Sequence, residues 1–238
     1  MKSLLRFSVL LVLGATLALP ASAAFESIKF GSDNPQPMFP LVLKVDGITR
    51  GKAIIAISVG ADGRLADKLV LGYTNQLFAK ACLDVLKEWQ FTPAKLDGVP
   101  VPAKTELTFN FSLEGAVISA NIVNHFYFDH FETLGDGYYV YRPCKPDEID
   151  RVPAPVSTVT PKYAVEAEQQ GLRGRVEVRF YIDEQGAVRL PAVTSEVPAY
   201  LADTAVAAVR EWRFEPPTHR GRPVLVAASQ VFDFGSAK

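Results

Sequence analysis

The octapeptide KEWQFTPA, Lys87 to Ala94, returns as REWRFEPP, Arg210 to Pro217, and the offset of 123 residues that lays Trp89 on Trp212 holds without a gap from Gly51 onward. A chain that repeats itself at this spacing builds one small unit twice. Under the offset Gly51 meets Gly174, Gly63 meets Gly186, Phe91 meets Phe214 and Pro93 meets Pro216. Gly98 then falls on Gly221, Pro100 on Pro223, Val101 on Val224, Phe109 on Phe232 and Phe111 on Phe234. The retained residues are glycines, prolines and aromatics, which set turns and core anchors rather than surface chemistry. Trp89, Phe91, Trp212 and Phe214 are the expected structural anchors.

With 238 residues and 48% hydrophobic content, the chain can bury a core in each repeat. Its net charge is −1 with both signs scattered, which gives no basic stripe for nucleic acid and no polybasic patch for a membrane surface. The start, MKSLLRFSVLLVLGATLALPASA, has Lys2 and Arg6 before an apolar run, then Pro20 and the small residues Ala21-Ser22-Ala23. That is the pattern of a secretory signal cut after Ala23, and the run is short for a membrane span. An uncut anchor is the alternative. Export permits a disulfide, but Cys82 falls opposite Ala205 on a helix and reads as a small buried packing residue. A bridge between Cys82 and Cys144 stays open, because sequence does not give their separation.

In the second copy, AVEAEQQ after Pro161-Lys162-Tyr163 reads as a short helix stopped by Gly171. RVEVRFYID alternates Val176, Val178, Phe180 and Ile182 with polar residues, the mark of a half-buried strand, and AVRLPAVTS returns as its partner with Pro191 limiting the pairing. Leu201, Ala205, Ala208, Val209 and Trp212 share one side of a helix. Pro216-Pro217 ends it, and a turn at Arg220-Gly221-Arg222 leads into a last strand. The first copy keeps the hairpin, the helix and the last strand, with two differences. FPLVLKVDGITR alternates like a strand where the second copy has a helix. Ile54 and Ala56 replace the outward Glu177 and Arg179, so both faces of that strand are apolar and both require cover. The best candidate for the cover is the insert between the repeats, whose aromatics around Leu134-Gly135-Asp136-Gly137 look like a hairpin. A short proline-bearing joint, RVPAPVSTVTP, follows it.

His125, Asp129, His130, Glu132 and Cys144 include metal-ligand types, but on a strand His125 and His130 point to opposite faces, and solvated hairpin residues are the expectation. Glu88 and Glu211 recur beside the tryptophans, and nothing titratable recurs with them, so helix-end carboxylates in solvent are expected rather than acid–base catalysts. No nucleophile elbow, phosphate loop or dinucleotide fingerprint is present. The expectation is a non-enzymatic chain with no cofactor, no metal and no small-molecule substrate.

The second copy, from PKYAVEAEQQGLRGRVEV through REWRFEPP and RGRPV to VFDF, resembles the TonB C-terminal domain family, whose outline is P-x-Y-P, G-x-V, D-x-x-G, W-x-F-x-P and G-x-P-V. Ala164 stands where that family usually has its second proline. The likeness covers roughly Val152 to Phe234, and a divergent version covers roughly Pro37 to Phe111. It implies an α+β chain of two tandem TonB C-terminal-like modules, each a small antiparallel sheet with helices packed on one face. The organisation expected is a signal peptide at 1–23, a divergent domain at 24–112, an aromatic hairpin insert and linker at 113–150, and a second domain at 151–238.

The resemblance also implies a periplasmic domain that holds the N-terminal peptide of an outer-membrane receptor by strand addition. Sheet physics agrees, since a last strand at an edge presents unpaired backbone groups. The partner-binding residues expected are Val224, Val226, Ala228, Gln230, Phe232 and Phe234, with Gln230 as the assisting polar side chain and proline at Gln230 as the substitution that removes a ladder donor. For the apolar side chains, a core role competes with contact. A family transducer also needs a membrane anchor and a long spacer, and the joint here is short. A periplasmic adaptor that self-associates as a homodimer, and a membrane-anchored transducer with an uncut N-terminus, are the alternatives.

Overall fold

A computed structural model of the protein describes residues 25–121, 140–163, 169, 171–193 and 197–235. The first repeat runs β1 (Phe25–Glu26), β2 (Lys29–Phe30), α1 (Val42–Val45), β3 (Arg50–Val59), β4 (Leu65–Tyr73), α2 (Gln76–Val85), β5 (Phe91–Thr92), β6 (Ala94–Leu96), β7 (Val99–Val101) and β8 (Ala103–Ser112), and the start of the insert adds β9 (Gly115–Asn121). The second runs β10 (Pro155–Ser157), β11 (Gly174–Ile182), β12 (Val188–Val193), α3 (Ala199–Arg210), β13 (Arg213–Phe214), β14 (Thr218–His219), β15 (Arg222–Pro223) and β16 (Val226–Phe234). The helix expected at AVEAEQQ, apart from residue 169, and the aromatic hairpin around Gly135 lie outside the described residues.

Each repeat forms an antiparallel sheet with one amphipathic helix laid across it. The orders are β4-β3-β8-β9 and β12-β11-β16. Ala53, Ile55, Ile57 and Val59 of β3 lie under Phe78, Ala79 and Cys82 of α2, and Val176, Val178, Phe180 and Ile182 of β11 lie under Leu201, Ala205 and Val209 of α3. The alternation read from sequence thus selects the helix-facing side of each central strand. Asn75 caps α2 by accepting from the Leu77 amide at 2.9 Å, a contact of about 1 kcal/mol. At the ends of the helices Trp89 and Trp212 each donate an indole N–H to a carbonyl of the segment leading into the module, Pro35 at 2.9 Å and Val159 at 2.8 Å. Those segments pair with the strands after the tryptophans, β2 with β5 and β10 with β13. The four anchors therefore do the same work twice.

The duplicated glycines have steric reasons. A Cβ on Gly186 would sit 1.9 Å from the Phe214 carbonyl oxygen, and one on Gly63 would sit 2.8 Å from that of Phe91, so each hairpin turn backs directly onto the strand after the tryptophan. Asp97-Gly98 and Arg220-Gly221 both carry two successive positive φ angles, the signature of a type I′ turn.

The two sheets pack face to face through the sides away from their helices. Ile54, Ala56, Leu69 and Leu71 of the first repeat meet Tyr181, Leu190 and Leu225 of the second in a third core. The layers run helix, sheet, sheet, helix. The free face of the first sheet is covered, as its apolar pattern requires. Among the described residues the second repeat supplies this cover, and Tyr141 of the insert adds to it, stacked on Tyr73 at 5.0 Å. A bulge at Leu190 and Pro191, with Leu190 at φ 50°, turns Leu190 into this core and leaves the Pro191 carbonyl to accept from Lys104 Nζ of the first repeat. Arg189 Nη2 reaches Asp67 at 2.5 Å and the Lys68 carbonyl at 2.8 Å, and its Nη1 reaches Asp183 at 3.4 Å.

The stretch FPLVLKVDGITR departs from its expected strand. It forms the short helix α1, ended by Gly47 at φ 75°, with the Gly47 amide bonded to the Lys44 carbonyl at 3.1 Å. Phe39 and Leu43 are buried while Leu41 and Val45 are exposed, so spacing by four won over spacing by two.

Candidate functional site

The last strand, β16, lies at the edge of the second sheet. Its inner side pairs with β11 without a break from Val226 opposite Ile182 to Phe234 opposite Gly174. On its outer side, among the described residues, the β partner is Cys144, which bridges Val226 and donates its amide to the Leu225 carbonyl at 2.7 Å. That bond fixes the orientation of the whole edge. The Leu225 carbonyl points outward, and strand backbone groups alternate sides, so the amides and carbonyls of Ala227, Ser229, Val231 and Asp233 point outward too.

The expected site residues fall into a different role from these. Val226, Ala228, Gln230, Phe232 and Phe234 have backbone groups turned toward β11, and their side chains lie on the helix side of the sheet. Val226 and Phe234 are buried, and Phe232 meets Trp212 edge-on at 5.8 Å. Val224 lies outside the strand, its amide bonded to the Pro217 carbonyl at 2.9 Å in the preceding turn. Gln230 is half-buried, and its Nε2 donates to the Val231 carbonyl at 2.8 Å, satisfying one outward group of the edge. Sequence reasoning named the even-numbered residues because their apolar pattern is visible. Ala227, Ser229, Val231 and Asp233 lie within the same expected edge strand, and the alternation read for backbone direction sets them apart as its outward-facing positions.

Beside the edge, on the helix side, a groove of about 350 Å³ opens between β16 and the proline-bearing joint, lined by Pro153, Pro155, Trp212, Phe214, Ala228 and Gln230. The joint is held in place by several contacts. The Glu215 amide donates to the Ala154 carbonyl at 2.8 Å, and the Asp150 carboxylate accepts from the Arg220 and Gly221 amides at 2.7 and 2.8 Å. The Gly221 amide first, then Thr218 and the Arg220 amide, hold the Asp150 carboxyl below its ordinary range. Arg142, bonded to Glu148, lowers that carboxyl to about 2.

Among the described residues, no group of three His, Cys, Asp or Glu side chains is placed to hold a metal ion, and His125, Asp129, His130 and Glu132 lie outside those residues. Cys82 and Cys144 are both free, Cys82 buried under α2 with its thiol pKa pushed up by burial. Glu88 and Glu211 are exposed. Among the described residues no helix is long and apolar enough to cross a membrane.

Comparison with known proteins finds the same unit. The model of the family described as Gram-negative bacterial TonB protein C-terminal matches residues 35–113 and 159–235. A protein TonB of Vibrio cholerae serotype O1 is 31% identical over 81 residues, which are 34% of this chain and 33% of that protein. A protein TonB of Pseudomonas aeruginosa is 35% identical over 81 residues, 34% of this chain and 24% of that protein. The chain thus spans a third or less of these relatives. The solution structure of the Pseudomonas aeruginosa TonB CTD is 31% identical, with a TM-score of 0.33, covering 40% of this chain and 95% of that one. The two matched segments together take in more than half of the residues, and the chain belongs to the TonB C-terminal family, with one match to the family in each repeat.

Proposed function

We propose that the protein is a periplasmic, non-enzymatic member of its family that captures an extended peptide, the N-terminal segment of an outer-membrane receptor in TonB-dependent transport, by adding it as a strand to β16. The observation that carries this reading is the outward row of backbone groups at Ala227, Ser229, Val231 and Asp233, next to a groove lined by Trp212, Phe214, Ala228 and Gln230. Affinity comes from main-chain hydrogen bonds, and the groove beside Trp212 and Phe214 supplies preference. In this reading residues 1–23 are a cleaved signal, and the units 24–112 and 151–238 flank the insert at 113–150. The test is a titration of the mature chain, Ala24 to Lys238, with N-terminal peptides of outer-membrane receptors, followed by amide NMR. Shifts confined to Ala227–Asp233 and the groove are expected. A silent edge would overturn the reading.

A second reading, an adaptor that self-associates, is favoured by the exposed Met38, Leu41, Val42 and Val45 on and beside α1. It requires a mass that rises with concentration and no response of β16 to peptide.

A further inference from the structure

The offset that superposes the repeats lays β8 on β16, Ala103 on Val226 and Phe111 on Phe234. The two sheets differ at this edge. Among the described residues β16 has no strand partner on its outer side beyond its first residue, whereas β8 is covered by β9 from Glu106, opposite Asn121, to Ser112, opposite Gly115. β9 stands outside the duplicated unit, since the family match in the first repeat stops at residue 113 and the strand begins at Gly115. We infer that β8 carries a second strand-docking edge, occupied in cis by β9, whose fitting partner is an extended segment with small or branched apolar residues at every second position. This rests on the reading of β16 as a docking edge.

The backbone parity is the same in both modules. Ser112 and Gly115 flank the two-residue turn Leu113-Glu114 and form its closing pair, so Asn110 with Val117, Thr108 with Ser119 and Glu106 with Asn121 exchange the ladder bonds. Glu106, Thr108 and Asn110 are the counterparts of Ser229, Val231 and Asp233. β9 therefore engages the groups that β16 leaves facing outward. Its Ala116, Ile118 and Ala120 turn toward the first core and are each only half-buried, while Val117 is 72% exposed. By contrast β3 buries five residues in succession, Ala53 to Ile57. Among the described residues β9 is backbone-paired on one side only, and a strand so held, with three half-buried side chains, opens before the centre of the sheet does.

The test opens the edge. Val117→Pro together with Ser119→Pro removes two β9 donors aimed at β8 and keeps Ala116, Ile118 and Ala120. The probe is acetyl-GAVISAN-amide, the sequence of β9 itself, titrated into both full chains with amide NMR. The Glu106, Thr108 and Asn110 amides are expected to stay silent in the parent and to shift saturably in the variant, with one more peptide bound per chain. A variant whose Ala53–Ile57 amides are unchanged but whose β8 ignores the peptide overturns the proposal. Where the variant does not fold, hydrogen exchange on the parent decides. Val117 and Ser119 amides exchanging at least tenfold faster than Ile55 and Ile57 support it, and equal rates overturn it. If receptor peptides move β16 while the variant's β8 stays silent, the second edge falls and the function proposed for β16 stands. Silence at β16 with a responsive β8 leaves the reverse.

Discussion

At the residue scale, neighbouring positions of β16 carry opposite duties. The Ser229 amide points outward, so Ser229→Pro removes an edge donor and spares the ladder to β11. The expected result is an unchanged amide spectrum for β11 with peptide affinity at least about tenfold weaker, about 1.4 kcal/mol, in the same titration. Gln230→Pro, the substitution suggested by sequence alone, instead breaks the β11–β16 ladder, and its thermal midpoint should fall sharply. Glycines offer a second contrast. Gly221 has φ 72° and open space around it, so Gly221→Ala costs only the left-handed backbone, about 1 kcal/mol by urea unfolding. Gly186→Ala adds a clash at 1.9 Å with the Phe214 carbonyl and should cost at least about 3 kcal/mol in the same assay. The positions of these glycines were legible from the repeat, but their neighbours were not. What a Cβ would strike depends on how the hairpin turn backs onto the strand after the tryptophan, and no local pattern encodes that.

At the element scale, the long strands and both main helices were legible in their succession along the chain, because long apolar alternation and a change of period to about 3.6 are strong signals. The short elements were less so. In α1 four apolar residues alternate over seven positions, too few to separate a strand from one helical turn, and burial of Phe39 and Leu43 decided the outcome. β9 went unread because Ala116, Ile118 and Ala120 make a weak stripe beside exposed Val117. The proline-bearing joint reads as a spacer, yet the Trp212 indole ties it down at Val159 and β10 pairs with β13. Trp212→Phe deletes that donor and should cost about 1–2 kcal/mol. Limited proteolysis should then cut between Val152 and Thr158 faster than in the parent.

At the scale of the whole molecule, the packing of the two sheets follows from a pair of substitutions between the repeats. Ile54 and Ala56 occupy the places of Glu177 and Arg179, and their burial was legible even though the identity of the cover was not, since a pattern within one unit does not name its neighbour. Ala56→Arg restores the charge found in the second repeat and should separate the modules, giving two urea transitions where the parent gives one. The interface also carries a proton linkage. Glu106 is buried beside Ala56, and burial raises its carboxyl from 4.5 to about 7. The folded state therefore holds a proton that the unfolded chain gives up, and its stabilising contribution, full below 4.5, is lost as pH rises to 7, at most about 3 kcal/mol. Lys104, lowered to about 7 by burial, changes above that window. Glu106→Gln should flatten the slope of unfolding free energy between pH 4.5 and 7. Tyr141 stacks on Tyr73 and bonds Glu184, and three residues later Cys144 meets the start of β16, so one short segment rivets both sheets. On the function proposed above, a tug on a strand docked at Ala227–Asp233 would be shared by the whole four-layer block, and the second module would meet tension as a fixed handle rather than as a bead on a string.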